Sequence, residues 1–338
     1  MEKIVRTICY FTKNPSENTI FKLEDIEEKL EKKGFKVQEK RVCCPNKDFT
    51  ELKNTFDDNS LILGKGQLDW SEAKEEIGDF IEAGDVNFNL DLTDEDIGEE
   101  HVELLFKLIE DAPSLMFSFA YTFNDTPSSP FFPSAKFEKE GFSIGLQATN
   151  MAEGCENLQQ WLDRMKDAWE EIDELFREEE DYLGIDSSIA PLHSKEGSLV
   201  NFIRRIEPSF NRSVLTDNYV KITEFIQNEN PNPVGLCGLM LPCLEDFELA
   251  EEYEKGNFSI ERNLFLSLHS GLGIDTYPVG VDEDKQNVVD ILKTVQRLSN
   301  KHGKPLSIRF VSDGEAKIGE ETDFGNKFLK DVEVRSLK

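Results

Sequence analysis

The sequence predicts an α/β fold, and three observations carry that prediction. Short β-rich runs alternate with helical segments of ten or more residues, the pattern of strand–helix–strand units with parallel pairing. Hydrophobic residues make up 38% of the 338, with 25 Phe among them, enough for a sizeable core and too much for a disordered chain. No run of about 18 apolar residues exists that would read as a transmembrane helix.

The elements follow in order. Ile4–Phe11 is β-rich and predicts a first strand. Asn14-Pro15-Ser16 breaks it, and Leu23, Ile26 and Leu30 mark one face of a helix over Lys22–Lys33 that Gly34 ends. Phe35–Cys43 alternates as a second strand. A short helix and then further strands are expected, the strands near 60–63, 86–92 and 114–121 and separated by helices near 70–83 and 94–111. Residues 122–140 interrupt the rhythm with three prolines and several turn formers. Loops this long in compact domains are often functional. Phe131 and Phe132, set between prolines, read as a rigid apolar plug over either an active site or the core.

The longest helix is expected from Asn157 to Asp181. Leu158, Trp161, Leu162, Met165, Ala168, Trp169, Ile172, Leu175 and Phe176 form an apolar stripe along it. That is more apolar surface than one face of a surface helix needs, so a homodimer is expected, with this helix or a neighbour contributing. Helices near 197–206, 216–228, 246–255, 259–268 and 285–301, with strands at 184–190, 236–241 and 306–311, complete the chain. No repeat or flexible linker divides it. One domain over 1–338 is expected, with a subdivision into 1–150 and 151–338 as the alternative.

Charge narrows the partners. Against 38 basic side chains stand 68 acidic ones, a formal net charge of −30, which argues against a nucleic-acid or anionic-membrane surface. The start, Met1-Glu2-Lys3-Ile4-Val5-Arg6, lacks the apolar core of a signal peptide, so a cytoplasmic location is expected. Six cysteines, at 9, 43, 44, 155, 237 and 243, form no CxxC, and reduced, buried thiols are expected. His101, His193, His269 and His302 do not pair at ligand spacing. P-loop and dinucleotide-binding motifs are absent.

Three segments place polar groups directly after apolar runs: Gly184-Ile185-Asp186-Ser187-Ser188-Ile189-Ala190-Pro191, Gly235-Leu236-Cys237-Gly238-Leu239-Met240-Leu241-Pro242-Cys243-Leu244-Glu245-Asp246, and Ser270-Gly271-Leu272-Gly273-Ile274-Asp275-Thr276-Tyr277-Pro278. In α/β folds, ligands collect where loops converge at the carboxyl ends of strands. Asp186, Glu245, Asp246 and Asp275 are therefore the catalytic candidates, able to share a proton or hold a hard cation such as Mg²⁺. Ser187, Ser270, Thr276 and Arg309 are the substrate-binding candidates, Arg309 for a carboxylate or phosphate. The bland reading stays open beside this one: Glu245 and Asp246 cap a helix starting near Phe247, while Asp186 and Asp275 accept N–H groups in turns.

The block at 238–246, Gly-Ile-Asp-Thr-x-Pro at 273–278 and Lys-Pro-Leu-x-x-Arg at 304–309 resemble the uncharacterised domain-of-unknown-function family 711. So do Ser-Pro-Phe-Phe-Pro-Ser-Ala at 129–135, Gly-Phe-Ser-Ile-Gly-Leu at 141–146, Gly-Ile-Asp-x-Ser at 184–188 and the opening Val5-Arg6-Thr7-Ile8. The resemblance implies a ten-stranded α/β barrel similar to that of pyruvate formate-lyase and anaerobic ribonucleotide reductase, helices outside, as a homodimer. It brings no established reaction. The glycyl-radical loop of those enzymes has no counterpart in the ending Phe324-Gly325-Asn326-Lys327-Phe328, so radical chemistry is not expected. The functional expectation is a small-metabolite enzyme with a carboxylate-lined pocket. A non-catalytic metabolite- or partner-binding protein is the alternative.

Overall fold

Strand-forming runs and capped helices alternate through the first 125 residues, as the periodicity predicts. The computed structural model describes residues 2–56 and 60–338. Its strands in chain order are β1 (Lys3–Phe11), β2 (Phe35–Cys43), β3 (Leu61–Leu68), β4 (Val86–Asp91), β5 (Phe119–Phe123), β6 (Gly141–Leu146), β7 (Tyr182–Asp186), β8 (Gly273–Pro278) and β9 (Leu306–Val311). Helices α1 (Glu17–Lys32), α2 (Phe49–Thr55), α3 (Trp70–Ala83) and α4 (Glu99–Asp111) join the first five strands. α5 (Leu158–Phe176) joins β6 to β7. Between β7 and β8 come α6 (Leu199–Ile206), α7 (Phe210–Ser213), α8 (Asn218–Asn228), α9 (Phe247–Glu254) and α10 (Ile260–His269), and α11 (Lys285–His302) leads into β9.

Local chemistry sets the helix ends. Asp69 and Glu72 form a reciprocal capping box at the start of α3, each side chain accepting from the other's backbone N–H at 2.8–2.9 Å. Gly303, at φ 58°, ends α11 in the left-handed conformation that glycine adopts without penalty.

The strands form one sheet in the order β7-β6-β1-β2-β3-β4-β5-β9-β8. β1 to β5 are parallel neighbours, as are β6–β7 and β8–β9; the two antiparallel joints are β1–β6 and β5–β9. The expected strand at 114–121 begins later, because Pro113 opens a 3₁₀ turn over Pro113–Ser118. β6 was not among the expected strands. It follows a proline-rich loop and enters antiparallel, outside the strand–helix rhythm. β8 was also missed as a strand; there the apolar run is short and interrupted by Asp275.

The expected strand at 236–241 is replaced by a segment held through isolated bridges. It pairs in parallel with Ile185 and Ile189 through Pro233 and Leu239, and with Gly271 and Asp275 through Leu239 and Pro242. Backbone bonds run both ways: Met240 N–H to Ile189 O at 2.9 Å, and Leu239 N–H to Ser270 O at 3.2 Å. β7 and β8 are the two ends of the sheet, so one segment is bonded to both. Nine strands are assigned among the described residues, where the family resemblance implies ten.

One apolar cluster runs from Val5 to Leu337. It absorbs most of the stripe of α5: Trp161, Met165, Trp169, Ile172 and Phe176 are fully buried within the single chain, with Leu158 and Leu175 partly buried against it. This corrects the ground given for a dimer, because most of the stripe is spent inside the single chain. No described helix is long and apolar enough to cross a membrane.

Candidate functional site

A cavity of about 500 Å³ is lined by six of the sheet's strands, within the size range of small-ligand sites. Its wall comes from β1 (Arg6), β2 (Glu39 and Arg41), the starts of β3 and β4, β8 (Asp275), β9 (Arg309) and the bridged segment (Met240, Pro242 and Glu245). Phe117, Phe131, Phe132 and Phe328 give it an aromatic side. The plug reading of Phe131 and Phe132 thus has a concrete form, since both rings line the cavity. Glycines make room for them: a Cβ on Gly64 would stand 2.7 Å from the Phe132 ring, and one on Gly145 2.6 Å from Phe131. The loop carrying the rings is pinned by Asn89, whose amide donates to Pro133 O and Ala135 O at 2.9 and 2.8 Å.

At one end of the cavity a buried guanidinium holds two carboxylates. Arg309 Nε donates to Asp275 Oδ1 at 2.7 Å, one terminal nitrogen donates to Glu245 Oε1, and the other reaches Phe117 O at 3.2 Å. The Phe117 ring lies beneath, its centroid 4.9 Å from the guanidinium carbon. Burial works against the charge on Arg309, but Asp275 and Glu245 outweigh it and hold its pKa above the ordinary value. Burial pushes Glu245 up; Arg309 opposes the rise and Asp275 adds to it. The β8–β9 register shifts between Ile274 and Tyr277, and Thr276 sits at φ 41°. Such a break in the ladder re-aims the neighbouring side chain, here Asp275, out of the regular alternation.

At the other end the balance reverses. Arg41 donates to Glu39, and through a second nitrogen to Pro130 O at 3.2 Å, while its Nε is buried without a partner. Arg6 is only loosely held, 3.4 Å from Gln38 Oε1 and 3.8 Å from Glu39. Burial lowers the Arg6 pKa, with Arg41 adding to the effect against Glu39. Burial would raise Glu39, yet Arg41 and Arg6 hold it below the usual carboxylate range.

The structure brings Glu245, Asp275 and Arg309 together and places the other candidates elsewhere. Asp186 is fully buried in a turn, where it accepts from Ser129 Oγ at 2.7 Å, Ser188 Oγ at 2.6 Å and the backbone N–H groups of Ser188, Leu236 and Cys237 at 3.0–3.1 Å. Gly235, at φ 71°, lets the chain pass: a Cβ there would fall 2.3 Å from Asp186 Oδ2. Asp246 caps α9 through Leu249 N–H and also accepts from Leu199 and Val200 at the start of α6. Burial raises its pKa to about 7, against the Ser198 and backbone N–H bonds that favour the charge. Ser187 Oγ donates to Ile226 O, and Ser270 Oγ bonds His269 Nδ1 and Thr223. The Thr276 side chain faces the Leu244 N–H at 3.5 Å. None of these five side chains is on the cavity wall.

Sequence reasoning missed Arg6, Glu39 and Arg41. One signal was available: Glu39 and Arg41 stand two apart in a strand and therefore share a face, in an element whose last residues are buried. Among the described residues, no group of three or more His, Cys, Asp or Glu side chains is placed to hold a metal ion.

The family model of an uncharacterised ACR (DUF711) matches residues 100–327, from α4 to just short of Phe328. No curated protein matches the chain.

Proposed function

We infer the function from the premise that this chain belongs to the uncharacterised ACR (DUF711) family, which brings no reaction with it. The reading is a small-metabolite site in the interior cavity, with Arg309 as the anchor and Glu245 as the acid–base residue. One observation carries it: Arg6, Arg41 and Arg309 and the carboxylates of Glu39, Glu245 and Asp275, from five separate segments, converge on one partly apolar cavity of about 500 Å³. The more exposed Lys53–Asp85 pair also lines it. A core with no ligand to bind has no need of so many desolvated charges, because apolar residues of like volume serve stability as well or better.

The bridged segment supports closure of the sheet into a barrel around this cavity, with the segment as its tenth strand and the chain as one domain. Both carboxylates that a Mg²⁺ ion would need are engaged by Arg309, so no step is routed through a metal. That same engagement favours a second reading, a binder that does no chemistry on its ligand. The homodimer stays a proposal on the family resemblance, with Phe265 and Leu268, both more than two-fifths exposed on α10, as its apolar surface; light scattering reads it directly.

The test is a thermal-shift panel of metabolites against the native protein and an Ala190→Phe variant that fills the cavity from its rim. A ligand bound only by the folded state raises its melting temperature. Shifts lost in the filled variant support the site. No shift from any compound, or shifts the variant keeps, would end it. Recovery of the bound compound unchanged after incubation selects the binder over the enzyme.

A further inference from the structure

We propose that the cavity takes a zwitterionic metabolite, one molecule carrying both a carboxylate and an ammonium group, with the carboxylate at Arg6 and Arg41 and the ammonium at Glu245 and Asp275. The inference rests on the cavity reading above and adds the class of ligand.

The argument is one of charge and partner. At the first end two guanidiniums share a single carboxylate, Glu39. Arg41 Nε is buried without a partner and closed to a ligand, whereas Arg6 is held only by a 3.4 Å hydrogen bond to Gln38 and a 3.8 Å approach to Glu39. That end carries two guanidiniums to one carboxylate, and the loosely held terminal N–H groups of Arg6, a cavity-lining residue, are the donors on offer to a ligand carboxylate. At the second end a single guanidinium serves two carboxylates, Glu245 and Asp275, so one negative charge is left over. The two ends belong to one cavity. The excess positive charge of the first cluster and the excess negative charge of the second offset each other across the cavity, Glu245 favouring the charge on Arg6 and Arg6 that on Glu245. A ligand with a single charge therefore upsets a balanced, desolvated site. A zwitterion satisfies both ends.

The shifts agree with the geometry. Burial depresses Arg6 at the first end and raises Glu245 at the second, so each end resists the charge that the ligand would neutralise. Between them Phe117, Phe131, Phe132, Met240 and Phe328 offer an apolar wall. The ligand body is therefore hydrocarbon or aromatic rather than a sugar phosphate.

Two matched series test the class by calorimetry on the native protein. The first is L-phenylalanine with 3-phenylpropanoate, which lacks the amine, and 2-phenylethylamine, which lacks the acid. The second, with a wider charge separation, is 6-aminohexanoate with hexanoate and pentylamine. In at least one series the zwitterion is expected to bind ten times or more tighter than both single-charge analogues. Arg6→Gln, at the more loosely held guanidinium, should cut the advantage over the amine, and Glu245→Gln the advantage over the acid. A preference below tenfold in both series, or no binding in either, overturns the ligand class. If another compound of the metabolite panel still gives a shift that Ala190→Phe abolishes, the cavity reading survives that failure.

Discussion

Glu245 and Asp186 are both buried carboxylates that follow an apolar run, and they are neutralised in opposite ways. Glu245, with Asp275, faces a cavity and is paired with the guanidinium of Arg309. Asp186 faces a packed turn and is surrounded by hydroxyl and backbone donors, with no cation bonded to it. A cage of N–H and O–H groups saturates a carboxylate's lone pairs and leaves nothing for a ligand. A guanidinium pair at a cavity wall leaves lone pairs facing space. The difference separates a latch from a site, and it lies in what surrounds the group rather than in its type.

The largest effect should come from breaking the guanidinium side of this contrast. Arg309→Met leaves Glu245 and Asp275 buried, adjacent and unpaired, and should cost about 3–5 kcal/mol. Because the two carboxylates can take up protons in acid, the loss measured by urea unfolding should shrink from pH 8 to pH 5. A loss that does not depend on pH would show that packing of the side chain, not its charge, is what matters there.

Next comes the latch. Asp186→Ala strands the donors of Ser129, Ser188, Leu236 and Cys237 in the interior and should cost about 3 kcal/mol. It ties the 122–140 loop to the bridged segment, which Thr126 also does through its 2.6 Å bond to Gly235 O. A folded Asp186→Asn protein keeps one acceptor oxygen and should retain the ligand response of the native chain. Loss of that response with the fold intact would move Asp186 back among the site residues.

How much of this was legible in the sequence depends on the residue. Strand and helix alternation announced β1 to β4 and α1 to α5, because each is local and periodic. β6 and β8 were hidden, the one by an antiparallel entry and the other by a polar break at Asp275 and Thr276. At the site, the residues following 238 and 304 pointed to Glu245 and Arg309. Arg6, Glu39 and Arg41 were hard to read for a physical reason: in a lone strand a charged residue reads as solvent-facing, and only the assembled fold covers it, so the shared face of Glu39 and Arg41 was the one hint. The pairing of Asp246 with two helix starts could not be read either, since α6 and α9 meet only in the fold.

Asp246 supplies the next comparison, being adjacent to Glu245 and turned away from the cavity. Asp246→Ala removes the acceptor for Leu199, Val200 and Leu249 and should cost about 2 kcal/mol, with Asp246→Asn near half of that. Ligand response should be untouched in both, whereas Glu245→Gln should change it. Equal effects of the two neighbours on binding would erase the boundary drawn between them.

The smallest expected effect concerns a third way to bury a carboxylate. Asp125 has neither a guanidinium nor a full cage: Oδ1 accepts from Thr126 N–H at 2.9 Å, while Oδ2 is buried with no partner. Burial therefore pushes its pKa up to about 8, with Lys136 only partly opposing. The folded protein keeps this proton to about pH 8, whereas the unfolded chain releases it near pH 4. Its contribution to stability is fully present below about pH 4 and is lost as pH rises through 8. Between pH 7 and pH 9 the native protein should lose about 1 kcal/mol from this group, at about 1.4 kcal/mol per pH unit near full linkage. Asp125→Asn stays neutral throughout, so its stability should fall less over the same interval. Asp246 titrates in both proteins, which makes the difference between the two curves, not either slope, the quantity to read. Parallel curves would mean that Asp125 is ionised in the fold and that its second oxygen has found a partner of its own.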